Sequence, residues 1–234
     1  GSLHLEGLTR AVEDNSLDLG VAFDGDADRA LFVSGSGRWL DGDHILYALT
    51  RDRTSEGPLT GGQVVGTIMT NLALEKTLIG EGIPLIRTPV GDKHVLEAMQ
   101  TSGAVLGGEP SGHIILSDLH TTGDGLLTAV KLAELLVRRG ESLDNIVAGY
   151  HPFPQILDGL RVSRKIPIEQ SPELSRLIGN AQAQLSDSGR MVVRYSGTEP
   201  LLRIMAEGKE LAQVQAAVDK LKAEATQFYN SLEK

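Results

Sequence analysis

Cysteine is absent from the 234 residues, which excludes disulfides, thiolate zinc sites and a cysteine nucleophile. The same absence fits a reducing compartment such as the cytoplasm. Aromatic residues make up only 4%, with a single Trp, so the core has to be built from Leu, Val, Ile and Ala. No apolar run approaches the ~20 residues that a membrane-spanning helix needs. The opening Gly1-Ser2-Leu3-His4 has neither a basic stretch nor an apolar one, and no signal peptide is expected there. Basic residues are outnumbered: 22 Lys plus Arg against 31 Asp plus Glu leave a net charge of −9. Such a molecule repels a polyphosphate backbone, which argues against nucleic acid as a partner. What is present is an ordinary globular composition, 41% hydrophobic and 23% charged, in a chain long enough to bury a core.

Hydrophobic periodicity predicts a helix over 5–15, then a strand over 17–23 that stops at an acid-rich turn. A hairpin pairs 30–34 with 38–40 about Gly35-Ser36-Gly37. A helix over 44–51 and a Gly/Pro/Ser/Thr-rich connection over 54–62 follow. From 63 to 140, strands at 64–69, 84–87 and 104–107 alternate with helices at 72–80 and 93–101, a rhythm that predicts a largely parallel sheet covered by helices. The segment 113–116 reads as a hairpin partner. A long helix over 124–139 is expected to turn Leu126, Leu127, Val130, Leu135 and Leu136 inward and to end at Gly140. His151-Pro152-Phe153-Pro154 forbids regular ladder bonding and marks a domain junction. Beyond it a strand (156–162), a helix (172–184), two strands (191–195, 201–207) and a last helix (211–232) predict a small α+β domain. The stripe of that last helix is Leu211, Val214, Val218, Leu221, Ala225 and Phe228. The expected class is α/β, a mixed or parallel sheet with flanking helices, plus a C-terminal α+β domain.

Three loops carry chemistry. In Asp24-Gly25-Asp26-Ala27-Asp28-Arg29, three carboxylates at alternate positions can converge on one hard cation, for which Mg²⁺ is the natural candidate. A calcium loop would need Gly at the sixth position and Glu at the twelfth, where Arg29 and Gly35 stand. An apolar strand ending in Asp-x-Asp also resembles the haloacid-dehalogenase phosphotransferases, but Asp28 breaks their pattern and the other two loops stay unexplained. The second loop, Gly107-Gly108-Glu109-Pro110-Ser111-Gly112-His113, offers an acceptor, a hydroxyl and an imidazole suited to vicinal sugar hydroxyls. A Ser-His-Asp triad is the poorer reading, since Ser111 and His113 are one residue apart with no elbow motif. The third loop, Arg194-Tyr195-Ser196-Gly197-Thr198-Glu199-Pro200 with Arg203 after it, concentrates donors for a phosphate dianion and is not a Walker loop.

The order DGDADR, GGEPSGHI, RYSGTEPLLR resembles the α-D-phosphohexomutases, string for loop. The resemblance implies that Asp24, Asp26 and Asp28 hold Mg²⁺, with Arg29 beside the phosphate. It implies that Glu109 and Ser111 bind sugar hydroxyls, and that Arg194, Ser196, Gly197, Thr198 and Arg203 hold the phosphate that is not reacting. Lys93, His94 and His113 are left as candidates for proton transfer or phosphate contact. The strings VGTIMTN (65–71), VGDKHV (90–95), SGHII (111–115) and TGDG (122–125) are similar to the amino-sugar branch, which interconverts glucosamine 6-phosphate and glucosamine 1-phosphate for envelope precursors. Pro110 departs from that branch, where Gln is common, and from the mannose and glucose phosphate branch, where Met is usual. Members are longer, four-domain chains whose first domain supplies a phosphorylated serine in Ser-His-Asn-Pro, a string not found in residues 1–234. By this resemblance 1–40 would end the second domain, 41–150 form the third and 151–234 the fourth. The expectation is a sugar-phosphate-binding chain without turnover, prone to self-association along the edge of 17–23. The alternatives are the specificity of the mannose and glucose phosphate branch, or a non-enzymatic sugar-phosphate-binding module.

Overall fold

In the computed structural model, which describes residues 4–55 and 57–232, the chain forms two compact units, Gly1–His151 and Pro152–Lys234. Gly1-Ser2-Leu3 of the expected leaderless start, Glu56 of the expected connection and Glu233-Lys234 lie outside the described residues. The first unit opens with α1 (Glu6–Asp14), which seats Val12 against Val33 beside Leu5. Strand β1 (Leu19–Phe23) runs antiparallel to β2 (Ala30–Ser34) with Phe23 opposite Ala30, so the acidic string becomes the loop of a hairpin. A short β3 (Trp39–Leu40) completes this sheet, ordered β1-β2-β3.

Helix α2 (Gly42–Ser55) is longer than the sequence suggests and buried from Gly42 to Thr50. Asp41-Gly42-Asp43 reads as a breaker, yet Asp43 sits in the first turn, where a carboxylate meets the positive end of the helix. The alternation that follows is as expected: β4 (Val64–Thr67), α3 (Leu72–Gly80), β5 (Leu85–Thr88), α4 (Asp92–Ser102), β6 (Leu106–Gly108) and β7 (Ile114–Leu116). The sheet order is β5-β4-β6-β7, parallel between β4 and its two neighbours and antiparallel at the β6–β7 hairpin. β4 and β6 are buried throughout, as strands covered on both faces must be.

Helix α5 (Gly125–Arg139) is capped by Asp124, whose side chain accepts from the Leu127 amide at 2.9 Å, and ends at Gly140 with φ +63°. Its rotation differs from the sequence expectation. The buried stripe is Gly125, Thr128, Ala129, Leu132 and Leu135, whereas Leu126 is 61% and Val130 55% exposed. The cause is Gly125: a Cβ there would lie 2.9 Å from the Ala27 carbonyl oxygen, so this side of the helix faces the acidic hairpin. A short α6 (Leu143–Ile146) ends the unit.

In the second unit β8 (Gln155–Arg161), β9 (Gly189–Tyr195) and β10 (Leu201–Gly208) form an antiparallel sheet ordered β8-β10-β9. One face is covered by α7 (Pro172–Gln184), capped by Ser171 with Pro172 in its first turn, and by α8 (Leu211–Ser231). Leu177, Ala181, Ile204, Ala206, Val214, Val218 and Leu221 interlock between them. Leu211 is 55% exposed, a further correction: the stripe begins at Val214 and takes in Ala217 and Tyr229. No helix among the described residues is long and apolar enough to cross a membrane.

Because Leu221 is fully buried, Leu221→Ala should cost about 2–5 kcal/mol by lost burial and cavity formation. Val130→Ala, on an exposed helix face, should stay within about 0.5 kcal/mol. Guanidinium unfolding read by circular dichroism compares the two; equal costs would refute this core assignment.

Candidate functional site

The acidic hairpin loop is held from three sides. Within it the Arg29 amide donates to Asp24 Oδ1 at 3.2 Å, while the Arg29 guanidinium lies 2.5 Å from Asp24 Oδ2 and 3.3 Å from Asp28 Oδ1. Ala27 takes a left-handed φ of +61°, which tightens the turn so that one oxygen from each of Asp24, Asp26 and Asp28 falls within 4.8 Å of the others. From the second loop, Gly112 offers its carbonyl to the Ala30 amide at 3.1 Å. From the start of α5, the Gly125 amide donates to the Ala27 carbonyl at 3.0 Å.

Three carboxylates this close repel one another, and the cost shows in their protonation. Burial pushes the Asp24 carboxyl up, but the Arg29 amide, a shared hydrogen bond with Asp28 and the Arg29 charge outweigh it and hold it below the ordinary range. Asp28 goes the other way: burial, then the hydrogen bond and charge of Asp24, raise it. A proton on Asp28 relieves the repulsion, as a divalent cation would do more fully. Asp24 Oδ2 is buried and meets the Arg29 guanidinium. Hard oxygen donors that converge within 4.8 Å of one another, three acids to one Arg, fit Mg²⁺.

The second loop leaves the carboxyl end of β6, where parallel α/β sheets present ligand-binding loops. Glu109 is half-buried and its Oε1 accepts from the Gly91 amide at 3.1 Å, which ties the loop to the start of α4. Lys93 and His94 stand on that first turn, exposed, each within 4 Å of Glu97. Ser111 is exposed at the loop tip. His113 is the buried member, with Nε2 3.8 Å from Asp28 Oδ2 and Nδ1 lacking a partner among the described residues. Arg29, Asp28 and His113 therefore come together, while Lys93 and His94 gather with Glu109 at the head of α4.

The third loop joins β9 to β10 in the second unit. Ser196 is buried, its amide bonded to the Leu201 carbonyl at 2.8 Å, and its hydroxyl receives Arg203 at 3.4 Å. Arg194 lies directly opposite Arg203 in the ladder. Like charges facing each other across a sheet destabilise it, and among the described residues no carboxylate pairs with either. Two registers further along the same face, Arg190 faces Glu207 and pairs with it at 2.5 Å. The uncompensated pair sits only beside the loop. Sequence reasoning missed Lys165, whose ammonium reaches the Ser196 and Gly197 carbonyls at 2.6 and 3.0 Å; it lies in a different segment from the loop and no local pattern marks it.

Two family models match the chain: phosphoglucomutase/phosphomannomutase α/β/α domain III over residues 41–153, and the C-terminal domain of the same family over 159–224. The chain belongs to the phosphoglucomutase/phosphomannomutase family of α-D-phosphohexomutases. Among curated relatives, the phosphoglucosamine mutase of Solibacter usitatus is 47% identical over 216 residues, 92% of this chain and 48% of that protein. That of Halorhodospira halophila is 48% identical over 219 residues, 94% of this chain and 48% of its own length. The chain thus spans about half the length of the curated relatives it matches. In fold it is similar to a phosphoglucomutase/phosphomannomutase family protein of Burkholderia thailandensis, with a TM-score of 0.75 and 21% identity over 96% of this chain and 50% of the other. It is also similar to Aspergillus fumigatus N-acetylphosphoglucosamine mutase, solved with GlcNAc-6P and magnesium, with a TM-score of 0.72 and 22% identity over 89% and 48%.

The bracing of the loops is testable in the free protein. A Cβ at Gly112, where φ is +93°, would lie 2.3 Å from the Ala30 carbonyl oxygen, and one at Gly123 would lie 2.1 Å from His113 Nε2. Gly112→Ala should therefore destabilise the first unit by about 1–3 kcal/mol, and Gly123→Ala should shift the His113 ring resonances. Wild-type stability in the former would show that the two loops are not in contact.

Proposed function

We propose that this chain is the part of a phosphoglucosamine mutase that holds the metal, the sugar and the non-reacting phosphate, with residues 1–40, 41–150 and 151–234 forming the end of its second domain, its third and its fourth. The uncompensated Arg194/Arg203 pair carries the reading, because a bound anion would balance it. The choice of amino sugar over other hexose phosphates rests on the identity of 41–48% to curated phosphoglucosamine mutases.

In the parent reaction a phosphoserine outside these residues gives its phosphoryl group to the free hydroxyl of the sugar monophosphate. The serine–phosphorus bond breaks, the sugar–oxygen bond to phosphorus forms, and the hydroxyl proton passes to a base. After the bisphosphate turns over, the other phosphate returns to serine. Asp24, Asp26 and Asp28 would hold Mg²⁺, which when bound would neutralise charge developing on the transferred group. Arg29 faces that group from the same loop, and Glu109 and Ser111 orient the sugar hydroxyls. Lys93, His94 and His113 are the candidates for proton transfer or phosphate contact. Arg194, Ser196, Gly197, Thr198 and Arg203 grip the distal phosphate. The phosphoserine that starts the cycle is not among these residues, and the role we propose for residues 1–234 is binding of the metal and the sugar phosphate.

Phosphorus NMR with Mg²⁺, glucosamine 6-phosphate and a trace of the bisphosphate should give a phosphate line that broadens on adding protein, with no 1-phosphate signal growing in. Growth of that signal would place a nucleophile within residues 1–234. Arg194→Ala should weaken sugar-phosphate affinity by about 1.5–3 kcal/mol, the scale of a charge-assisted hydrogen bond; unchanged affinity in calorimetry sinks the phosphate assignment.

The chain also self-associates in this reading. β1 is an edge strand of its sheet, and Leu17, Leu126, Val130 and Val137 nearby are all exposed. Light scattering should show concentration-dependent growth, and a monomer throughout would count against it.

A further inference from the structure

A peptide group is planar and trans, so its carbonyl and the N–H that follows point in opposite directions. At the β9–β10 turn the Lys165 ammonium donates to two successive carbonyls, Ser196 O at 2.6 Å and Gly197 O at 3.0 Å. The N–H groups of those same two peptides belong to Gly197 and Thr198. Drawing both oxygens toward Lys165 therefore turns both amides to the opposite side of the loop. Among the described residues neither amide donates to a protein acceptor, and both residues are exposed.

We propose that Lys165 is the positioning residue of the third loop: it fixes the two peptides so that Gly197 and Thr198 present adjacent N–H donors to a phosphate group. The inference rests on the phosphate reading of this loop and deepens it. Lys165 does not need to touch the anion to act. Its ammonium is occupied by the carbonyls on the far side of the peptides, and no carboxylate pairs with it among the described residues. Its position is in turn held by its neighbour. The Ile166 amide donates to the Tyr195 hydroxyl at 3.2 Å, and that hydroxyl is bonded to the hydroxyl of Tyr229 on α8. The end of β9, the turn and residues 165–166 are thus bonded into one piece.

Without the ammonium, the loop carbonyls turn to water and the two amides lose their common direction, a loss of preorganisation rather than of charge alone. Lys165→Met keeps the aliphatic stem and removes the donors. Lys165→Arg keeps charge and can again donate to two carbonyls. The test titrates the 234-residue chain with inorganic phosphate and follows the Gly197 and Thr198 amide resonances. Lys165→Met should bind roughly tenfold more weakly, the weakening should persist at ~0.5 M salt where simple charge attraction is screened, and Lys165→Arg should recover most of it. In Lys165→Met these two resonances should also shift before phosphate is added, with those of β9 and β10 in place. Wild-type affinity in Lys165→Met, or a deficit that vanishes at high salt, would overturn the positioning role. No phosphate-dependent shift at Gly197 and Thr198 in the wild-type chain would instead overturn the phosphate reading itself.

Discussion

The hydrogen bond from the Ala30 amide to the Gly112 carbonyl brings two backbones into contact where the acidic hairpin meets the Glu109–His113 loop, and its neighbours are arranged to permit that approach. Residue 112 has to be glycine, because its φ of +93° and its distance from the Ala30 carbonyl leave no place for a side chain. The bond fixes the second loop against the first, so that His113 falls beneath Asp28 while Glu109 reaches across to the head of α4. The same hairpin loop, met from the other side by the Gly125 amide, sets how α5 is rotated on the sheet. A loop carrying three crowded carboxylates would otherwise open to relieve its own repulsion. Bracing by backbone hydrogen bonds from two other segments keeps it closed without adding charge.

What the sequence revealed about the site was its local chemistry. The acidic string, the Glu109–His113 loop and the Arg194–Pro200 loop each declare themselves within seven residues, because a Gly-rich turn and its polar side chains act over that range. The alternation of strands and helices was equally legible, since burial of a parallel sheet imposes continuous apolar runs. Rotation of elements was not. The α5 sequence contains more than one apolar face, and the choice between them is made by contact with Ala27, nearly a hundred residues earlier. Leu211 failed for a related reason: its spacing fits the stripe, but the packed cluster takes in Val214 and leaves Leu211 in the first turn of α8 outside it. Lys165 was invisible because its role is defined by two carbonyls in a distant segment, and backbone acceptors leave no signature in side-chain identity.

The two ends of the β9–β10 ladder differ in how their charges are compensated. At one end Arg190 meets the fully buried Glu207, which also accepts from Gln155 at 3.1 Å; here every charge has its counterpart. At the other end Arg194 meets Arg203, and Lys165 turns to carbonyl dipoles instead of an acid. An overall charge of −9 would be expected to turn a phosphate away. Screening limits that expectation, since at physiological ionic strength exposed charges beyond ~8 Å count for little. An anion at the loop responds to the guanidiniums and amides it touches far more than to the acidic surface elsewhere. Local absence of carboxylate partners is then the decisive feature: each Arg–Glu pair placed here would supply stability and remove the attraction. The strand pair forgoes that stabilisation at one end only, which is why the cost can be borne by a sheet whose other face is packed against α7 and α8.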